Sequence, residues 1–213
     1  MRICDHQEEI ANALTHGLGL LASIVGGAVL ITLTALFGDT RLLIGTTVFV
    51  GSLLLLYSTS TLYHAIRDQL AKTWLQVFDH CAVFILIAGT YTPFALGALE
   101  GAWGWGLLVA VWSIALAGIV FKCFCAGRLH LLSTMIYLGM GWLALAAIEP
   151  ILEALSTSAL IWLVTGGIAY TAGTLFYHSH RRYAHAIWHV FVLAGSSCHF
   201  AAVLSLVLPP SGA

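Results

Sequence analysis

The sequence predicts an all-α fold: a seven-transmembrane helix bundle with its N-terminus in the cytoplasm and its C-terminus outside. Three observations lead to this prediction. Of the 213 residues, 60% are apolar and only 8% are charged, whereas about a quarter of a soluble globular protein is charged. Seven apolar runs are long enough to cross a bilayer, and the basic residues lie almost entirely on one side of them. Because the spans take up nearly the whole length, we expect a single membrane domain, residues 1–213.

The apolar runs set the number of helices. A helix rises about 1.5 Å per residue, so about 20 apolar residues cross the hydrocarbon core. Acidic residues precede the first run in MRICDHQEEIANALTHG, and neither a basic region nor a cleavage site accompanies them, so we expect an uncleaved first helix. The predicted spans are residues 13–37, 42–66, 77–98, 104–121, 131–149, 158–178 and 183–208.

The basic residues give the bundle a direction. With seven spans, only Arg41 of the eight lysines and arginines lies on the side away from the N-terminus. Cytoplasmic loops are enriched in Lys and Arg, so the N-terminus is predicted to be cytoplasmic. A wrong span count would distribute the basic residues over both sides of the membrane, so their one-sided distribution also supports seven spans. The basic residues on the N-terminal side are Arg2, Arg67, Lys72, Lys122, Arg128, Arg181 and Arg182.

Several polar side chains fall at one end of the predicted bundle. Ionisable groups inside a membrane are costly, so each is a functional candidate by default. His64 ends the second span, with Ser60 one turn deeper on the same side of that helix. Asp79 opens the third span, and His185 and His189 open the seventh. All of them are therefore predicted to lie within about two turns of the cytoplasmic boundary.

This set of residues suits a metal site. His185 and His189, spaced i and i+4, project from the same side of their helix. With His64 they offer three nitrogen ligands, which leaves a tetrahedral zinc ion one open position, as in catalytic sites. Zinc lowers the pKa of water at that position to about 7. Asp79 is then predicted to act as general base, and Ser60 to orient the water or the carbonyl.

Other chemistry remains open at this point. Two histidines on different helices could bind a haem axially, although Asp79 and one histidine would then have no role. A proton relay through the membrane is the other alternative. The cysteines form no C-x-x-C pair and no regular framework, so we interpret them as small buried residues or free thiols. They are Cys4, Cys81, Cys123, Cys125 and Cys198.

The segments STLYH, FDH and HAIWH, together with the opening EEIANALTHG, resemble the progestin and adipoQ receptor (PAQR) family. The short chain resembles the bacterial hemolysin III branch, and the resemblance covers nearly the whole sequence. It implies zinc bound by His64, His185 and His189, with Ser60 and Asp79 around the water on the zinc. It also implies hydrolysis of an amide or ester bond in a lipid.

The first span carries three further polar residues. Glu9, Asn12 and His16 fall at i, i+3 and i+7, so they share one side of the helix at its cytoplasmic end. They could surround the metal ligands, or they could form a polar clasp between helices. The pattern alone does not decide between these roles.

The sequence also limits location and partners. We expect a multi-pass protein of the bacterial inner membrane whose partners are membrane lipids and a lipid-like small molecule, with no nucleic acid. Two other functions stay open: a non-enzymatic sensor of membrane homeostasis with structural zinc, and a cytolytic channel. No span has the polar stripe that would line an aqueous pore. The oligomeric state is not predicted.

Overall fold

A computed structural model of the chain describes residues 5–99, 101–125 and 129–208. Within these ranges it contains seven helical segments long and apolar enough to cross a membrane, and it contains no strand. The predicted all-α, seven-helix fold is therefore confirmed. Arg2, Cys4 and Arg128 lie outside the described residues.

Six of the spans are single helices, and the fifth is broken. The first four are α1 (His6–Phe37), α2 (Thr40–Ala65), α3 (Gln69–Gly97) and α4 (Gly101–Cys125). The fifth consists of α5 (His130–Gly141), a 3₁₀ segment (Leu143–Ala147) and α6 (Ile148–Ala154). The last two are α7 (Thr157–Tyr177) and α8 (Ala184–Val207).

The first five spans are longer than the predicted apolar runs, most of all at the starts of α1 and α3. α1 begins seven residues before the predicted position 13, and α3 begins eight residues before position 77. Side-chain caps explain both starts. Asp5 accepts a hydrogen bond from the Glu8 N–H at 2.9 Å, and Asp68 accepts one from the Ala71 N–H at 2.8 Å. Such polar turns extend beyond the hydrocarbon, so hydropathy does not detect them.

The break in the fifth span is held by a side chain from α3. The Tyr91 hydroxyl lies 2.9 Å from the Met140 carbonyl and 2.8 Å from the Gly141 carbonyl. It also accepts a hydrogen bond from the Ala144 N–H at 3.0 Å. Backbone groups freed inside a membrane need such partners. After the break the helix continues to Ala154, where the sequence had predicted a loop from residue 149.

The helices pack closely inside and present large apolar side chains outside. A Cβ atom at Gly45 of α2 would lie 2.6 Å from the Pro93 Cα of α3, so this approach requires glycine. On the outer surface Leu18, Val25 and Phe124 are 65%, 67% and 85% exposed. Apolar exposure on this scale is rare in soluble proteins and fits contact with lipid.

All the residues of the candidate site lie toward one end of the bundle, here called the N-terminal face. At this face α1, α3 and α8 begin and α2 ends. The distribution of basic residues predicts that it is cytoplasmic. That orientation stays a prediction.

Candidate metal centre

Three histidines from two helices meet at the N-terminal face. His64 is the penultimate residue of α2, and His185 and His189 lie in the first two turns of α8. One nitrogen from each lies within 4.8 Å of the other two. Their ring centroids are 4.6 to 5.2 Å apart. His64 and His189 are buried and His185 is partly exposed, so the three form a group that could hold a metal ion.

Hydrogen bonds orient His64 for this role. Its Nδ1 lies 2.7 Å from Glu9 Oε2. A carboxylate only accepts, so Nδ1 carries the proton and donates it. Nε2 is then the basic nitrogen, and it is buried without a hydrogen-bond partner among the described residues. A histidine that ligates a metal usually donates its other N–H to a carboxylate or carbonyl in this way.

His189 is oriented in the same manner. Its Nδ1 donates to the Asn12 carbonyl oxygen at 3.2 Å and lies 3.1 Å from Thr15 Oγ1. Its Nε2 is therefore the nitrogen left for a ligand. A tetrahedral zinc ion separates its nitrogens by about 3.3 Å, given bonds of about 2.0 Å. One nitrogen of each histidine already lies within 4.8 Å of the other two, so the donor set fits a metal.

The structure places all three predicted residues of α1 beside the histidines. Glu9 and Asn12 make the contacts just described. The His16 ring stacks on His189, with centroids 3.5 Å apart and planes inclined by 14°. Both His16 nitrogens are buried without a hydrogen-bond partner in the described part of the chain. The roles of these residues remain predictions.

Glu8, which the sequence interpretation passed over, positions the start of α8. This buried carboxylate accepts a hydrogen bond from the Tyr183 N–H at 2.8 Å and one from the Asp5 N–H at 3.0 Å. Tyr183 has a left-handed backbone, with φ of 60°. Because Tyr183 lies two residues before His185, its hydrogen bond to Glu8 helps to position that histidine. The sequence signal for Glu8 was the D-x-x-E capping-box pattern that Asp5 and Glu8 form. The hydrogen bond from the Glu8 N–H also lowers the pKa of the Asp5 carboxyl.

Thr15 and Lys72 were also missed. Lys72 Nζ donates to Glu9 Oε1 at 3.0 Å, so Lys72 joins α3 to the carboxylate that orients His64. Lys72 lies in the polar first turn of α3, which hydropathy had treated as a loop. Nothing in the sequence distinguishes Thr15 from other membrane threonines. Its contact with His189 depends on how α1 packs against α8.

Ser60 and Asp79 lie in the wall of an apolar cavity that adjoins the histidines. The cavity volume is about 250 Å³. The Asp79 carboxylate interacts with His64 and lies beside Ser60. Asp79 follows Gln69 by ten residues, so it sits well inside α3 rather than at its start. Toward the opposite face the cavity is lined by leucines, including Leu99, Leu107, Leu155 and Leu160.

A second, wider cavity opens at the N-terminal face. Its volume is about 1190 Å³, and it is called the vestibule below. Tyr63, Tyr177 and His185 line both cavities, so the metal group lies where the two meet. The charged and polar residues of its wall include His6, Glu8, Glu9, Arg67, Lys72 and Arg181.

A family model described as haemolysin-III related matches residues 4–200 of the chain. The chain belongs to the haemolysin-III family. It thus falls within the PAQR family that its motifs resemble. The seven apolar helices and the bacterial relatives make this haemolysin-III protein a multi-pass integral protein of the bacterial inner membrane.

Haemolysin-III relatives match almost the full length of the chain. It is 50% identical over 199 residues to a protein named "Hemolysin-3 homolog" of Bacillus subtilis, with 93% of each chain covered. It is 43% identical over 204 residues to "Hemolysin-3" of Bacillus cereus, covering 95% of this chain and 93% of the relative. The human "Monocyte to macrophage differentiation factor" is 28% identical over 212 residues, covering 92% and 83%.

Four other histidines of this haemolysin-III chain make contacts outside the metal group. His80 and His130 pair with each other, with ring centroids 6.0 Å apart. His178 Nε2 lies 3.0 Å from the Thr134 hydroxyl. His199 Nε2 donates to the Leu163 carbonyl at 3.2 Å. None of them belongs to the three-histidine group found among the described residues.

Proposed function

We propose that the protein is a zinc-dependent hydrolase that cleaves an amide or ester bond in a membrane lipid near the cytoplasmic face. The observation that carries this proposal is the position of the three histidines at the junction of two cavities. One cavity is small and almost wholly apolar, and the other is larger and has more charged and polar residues in its wall. A lipid whose chain fills the first would present its polar linkage to His64, His185 and His189.

The donor set favours zinc. Imidazole nitrogens are ordinary zinc ligands, and three protein ligands with an open fourth position are typical of catalytic rather than structural sites. The hydrogen bonds to Glu9 and Asn12 favour the unprotonated Nε2 of two of the histidines. The apolar cavity wall would exclude bulk water from the linkage to be cut.

The residues of the apolar cavity supply the remaining chemistry. A bound zinc ion would polarise the scissile carbonyl and lower the pKa of water at its open position. Asp79 takes the proton from the attacking water and delivers it to the leaving nitrogen or oxygen. The Ser60 hydroxyl orients the carbonyl or the water. The acyl chain stays among the leucines of the apolar cavity, and the polar product leaves through the vestibule.

Structural zinc is the second candidate. His64 is on α2 while His185 and His189 are on α8, so a metal there would fasten these helices even without catalysis. Such a protein would act as a non-enzymatic sensor of membrane homeostasis. The "Hemolysin-3" name of the Bacillus cereus relative points instead to cytolysis. We do not favour that function because the apolar cavity has few of the polar side chains that would line an aqueous pore.

The proposed activity is tested on the purified full-length chain in lipid nanodiscs. The protein is presented with a panel of N-acyl and O-acyl lipids, and released fatty acid is measured by mass spectrometry. Chelation should abolish release, and zinc should restore it. Bound zinc without product from any lipid in the panel would favour the structural alternative. Ion flux through liposomes that survives chelation would favour the channel.

Replacing Glu9 by glutamine should weaken zinc binding by about 10- to 100-fold. The amide keeps the size of the side chain but removes the charge that polarises the His64 N–H and pairs with Lys72. Competition with a calibrated chelator measures the change. Glu153→Gln, at an exposed position on α6, is the matched control and should leave zinc affinity unaltered. Equal affinities for the Glu9 variant and the native protein would exclude a role for Glu9 at the metal.

A further inference from the structure

Among the described residues, the wall of the vestibule has more cations than carboxylates. Three cations, Arg67, Lys72 and Arg181, and two acids, Glu8 and Glu9, line it there. Both acids are already engaged within the protein. The Glu9 carboxylate binds Lys72 at 3.0 Å and His64 at 2.7 Å. Glu8 accepts two backbone N–H hydrogen bonds that position the helix starts.

In the described part of the chain, the two arginines of the vestibule form no ion pair with an acidic residue. Arg67 Nη2 lies 3.0 Å from His6 Nε2, and both side chains are exposed. Among the described residues neither Arg67 nor Arg181 pairs with a carboxylate. The neighbouring Arg182 differs: it forms an ion pair with Asp5 at 3.0 Å and does not line the vestibule. A cleft lined by one sign of charge concentrates ligands of the other sign.

The adjoining apolar cavity indicates what kind of anion fits. Because the two cavities share Tyr63, Tyr177 and His185, one molecule can occupy both. Its chain would lie among the leucines, and its charged end would reach the arginines. A guanidinium group presents a planar set of donors that matches phosphate in two parallel hydrogen bonds.

We propose that Arg67 and Arg181 bind the phosphate of an anionic lipid headgroup whose acyl chain enters the apolar cavity. The substrate class is then a phosphate-bearing acyl lipid rather than a neutral one. This inference rests on the proposed function where it concerns hydrolysis, but the binding itself requires no turnover. The metal group lies between the phosphate and the chain, beside the linkage that would be cut.

Binding is measured with the full-length protein in detergent and a short-chain fluorescent phosphatidylglycerol, followed by fluorescence anisotropy. We expect this lipid to bind at least about tenfold more tightly than the matching phosphatidylcholine, whose phosphate is offset by its choline. Arg67→Gln and Arg181→Gln should each weaken phosphatidylglycerol binding by about tenfold. Arg182→Gln, at an exposed arginine one residue away, should leave binding unchanged.

Three results would overturn the proposal: equal affinity for the two lipids, no loss in the Arg67→Gln/Arg181→Gln double variant, or an equal loss in Arg182→Gln, which would indicate general surface attraction. Soluble glycerol 1-phosphate separates the two sources of phosphate. If it binds as tightly as the lipid, the site takes a free phosphate and the lipid assignment fails.

Repeating the phosphatidylglycerol binding measurement after chelation separates this inference from the proposed function. Phosphatidylglycerol binding that persists after chelation supports the headgroup site independently of hydrolysis. Binding by the zinc-loaded protein that releases no fatty acid from any lipid would keep the headgroup site and count against the hydrolase. Hydrolysis of neutral and anionic lipids at equal rates, with no difference in binding, would leave the hydrolase standing and overturn the headgroup site.

Discussion

Replacing His189 by alanine is expected to remove bound metal and hydrolysis together. The zinc of a structural site contributes about 10–16 kcal/mol, so one ligand of three accounts for roughly 3–5 kcal/mol. Zinc affinity should therefore fall by about 10²- to 10⁴-fold. His189 is also buried against His16 and Asn12, so the variant cannot recruit a water-exposed replacement ligand easily. Zinc per protein is measured by plasma mass spectrometry after dialysis.

His199→Ala is the matched control, because it removes a histidine from the same helix about 15 Å away along the axis. It should retain a full complement of zinc. A ligand that binds only the folded state raises the midpoint of thermal unfolding, so zinc should raise Tm in the control but not in His189→Ala. Normal zinc content in His189→Ala would refute the three-histidine assignment.

The number of helices could be predicted from the sequence because the bilayer imposes one length on every span. The helix ends could not, because they depend on caps such as Asp68 and on polar turns outside the hydrocarbon. The break in the fifth span was missed for a different reason. Its backbone groups are satisfied by Tyr91 of α3, a contact between residues about 50 positions apart. No local pattern reports such a contact.

The three histidines could be predicted because their placement follows from two local facts. The i and i+4 spacing puts His185 and His189 on the same side of α8. Because successive spans cross the membrane in opposite directions, the end of α2 and the start of α8 lie at the same face. The environment of Glu8 depends instead on packing. Its contact with Tyr183 joins positions 175 residues apart and uses a left-handed backbone at a tyrosine, a conformation that sequence rarely signals outside glycine.

The vestibule likewise became visible only in three dimensions. In the sequence, Arg67 and Arg181 count equally with Arg182 as residues that orient the protein in the membrane. In the structure, Arg182 is neutralised by Asp5, whereas the other two face a cavity that joins the metal group. The three arginines carry the same charge, but Arg182 is paired with Asp5, whereas Arg67 and Arg181 can bind a ligand.

Replacing Asp79 by asparagine is expected to lower hydrolysis by about 10²- to 10⁴-fold while zinc stays bound. Asparagine has nearly the same size as aspartate, but its amide cannot accept a proton from the attacking water. Asp79 is not one of the three predicted ligands, so metal affinity should change far less than in His189→Ala. Initial rates of fatty-acid release and zinc content are measured on the same preparation.

Asp39→Asn provides the control, because Asp39 caps α2 at the opposite face and asparagine caps a helix equally well. It should keep the native rate. If Asp79→Asn also keeps the native rate, Asp79 is not the base and the proton must pass through another group of the cavity. If Asp79→Asn loses zinc and thermal stability together, the carboxylate supports the fold around the metal. In that case the structural role of zinc becomes the better account.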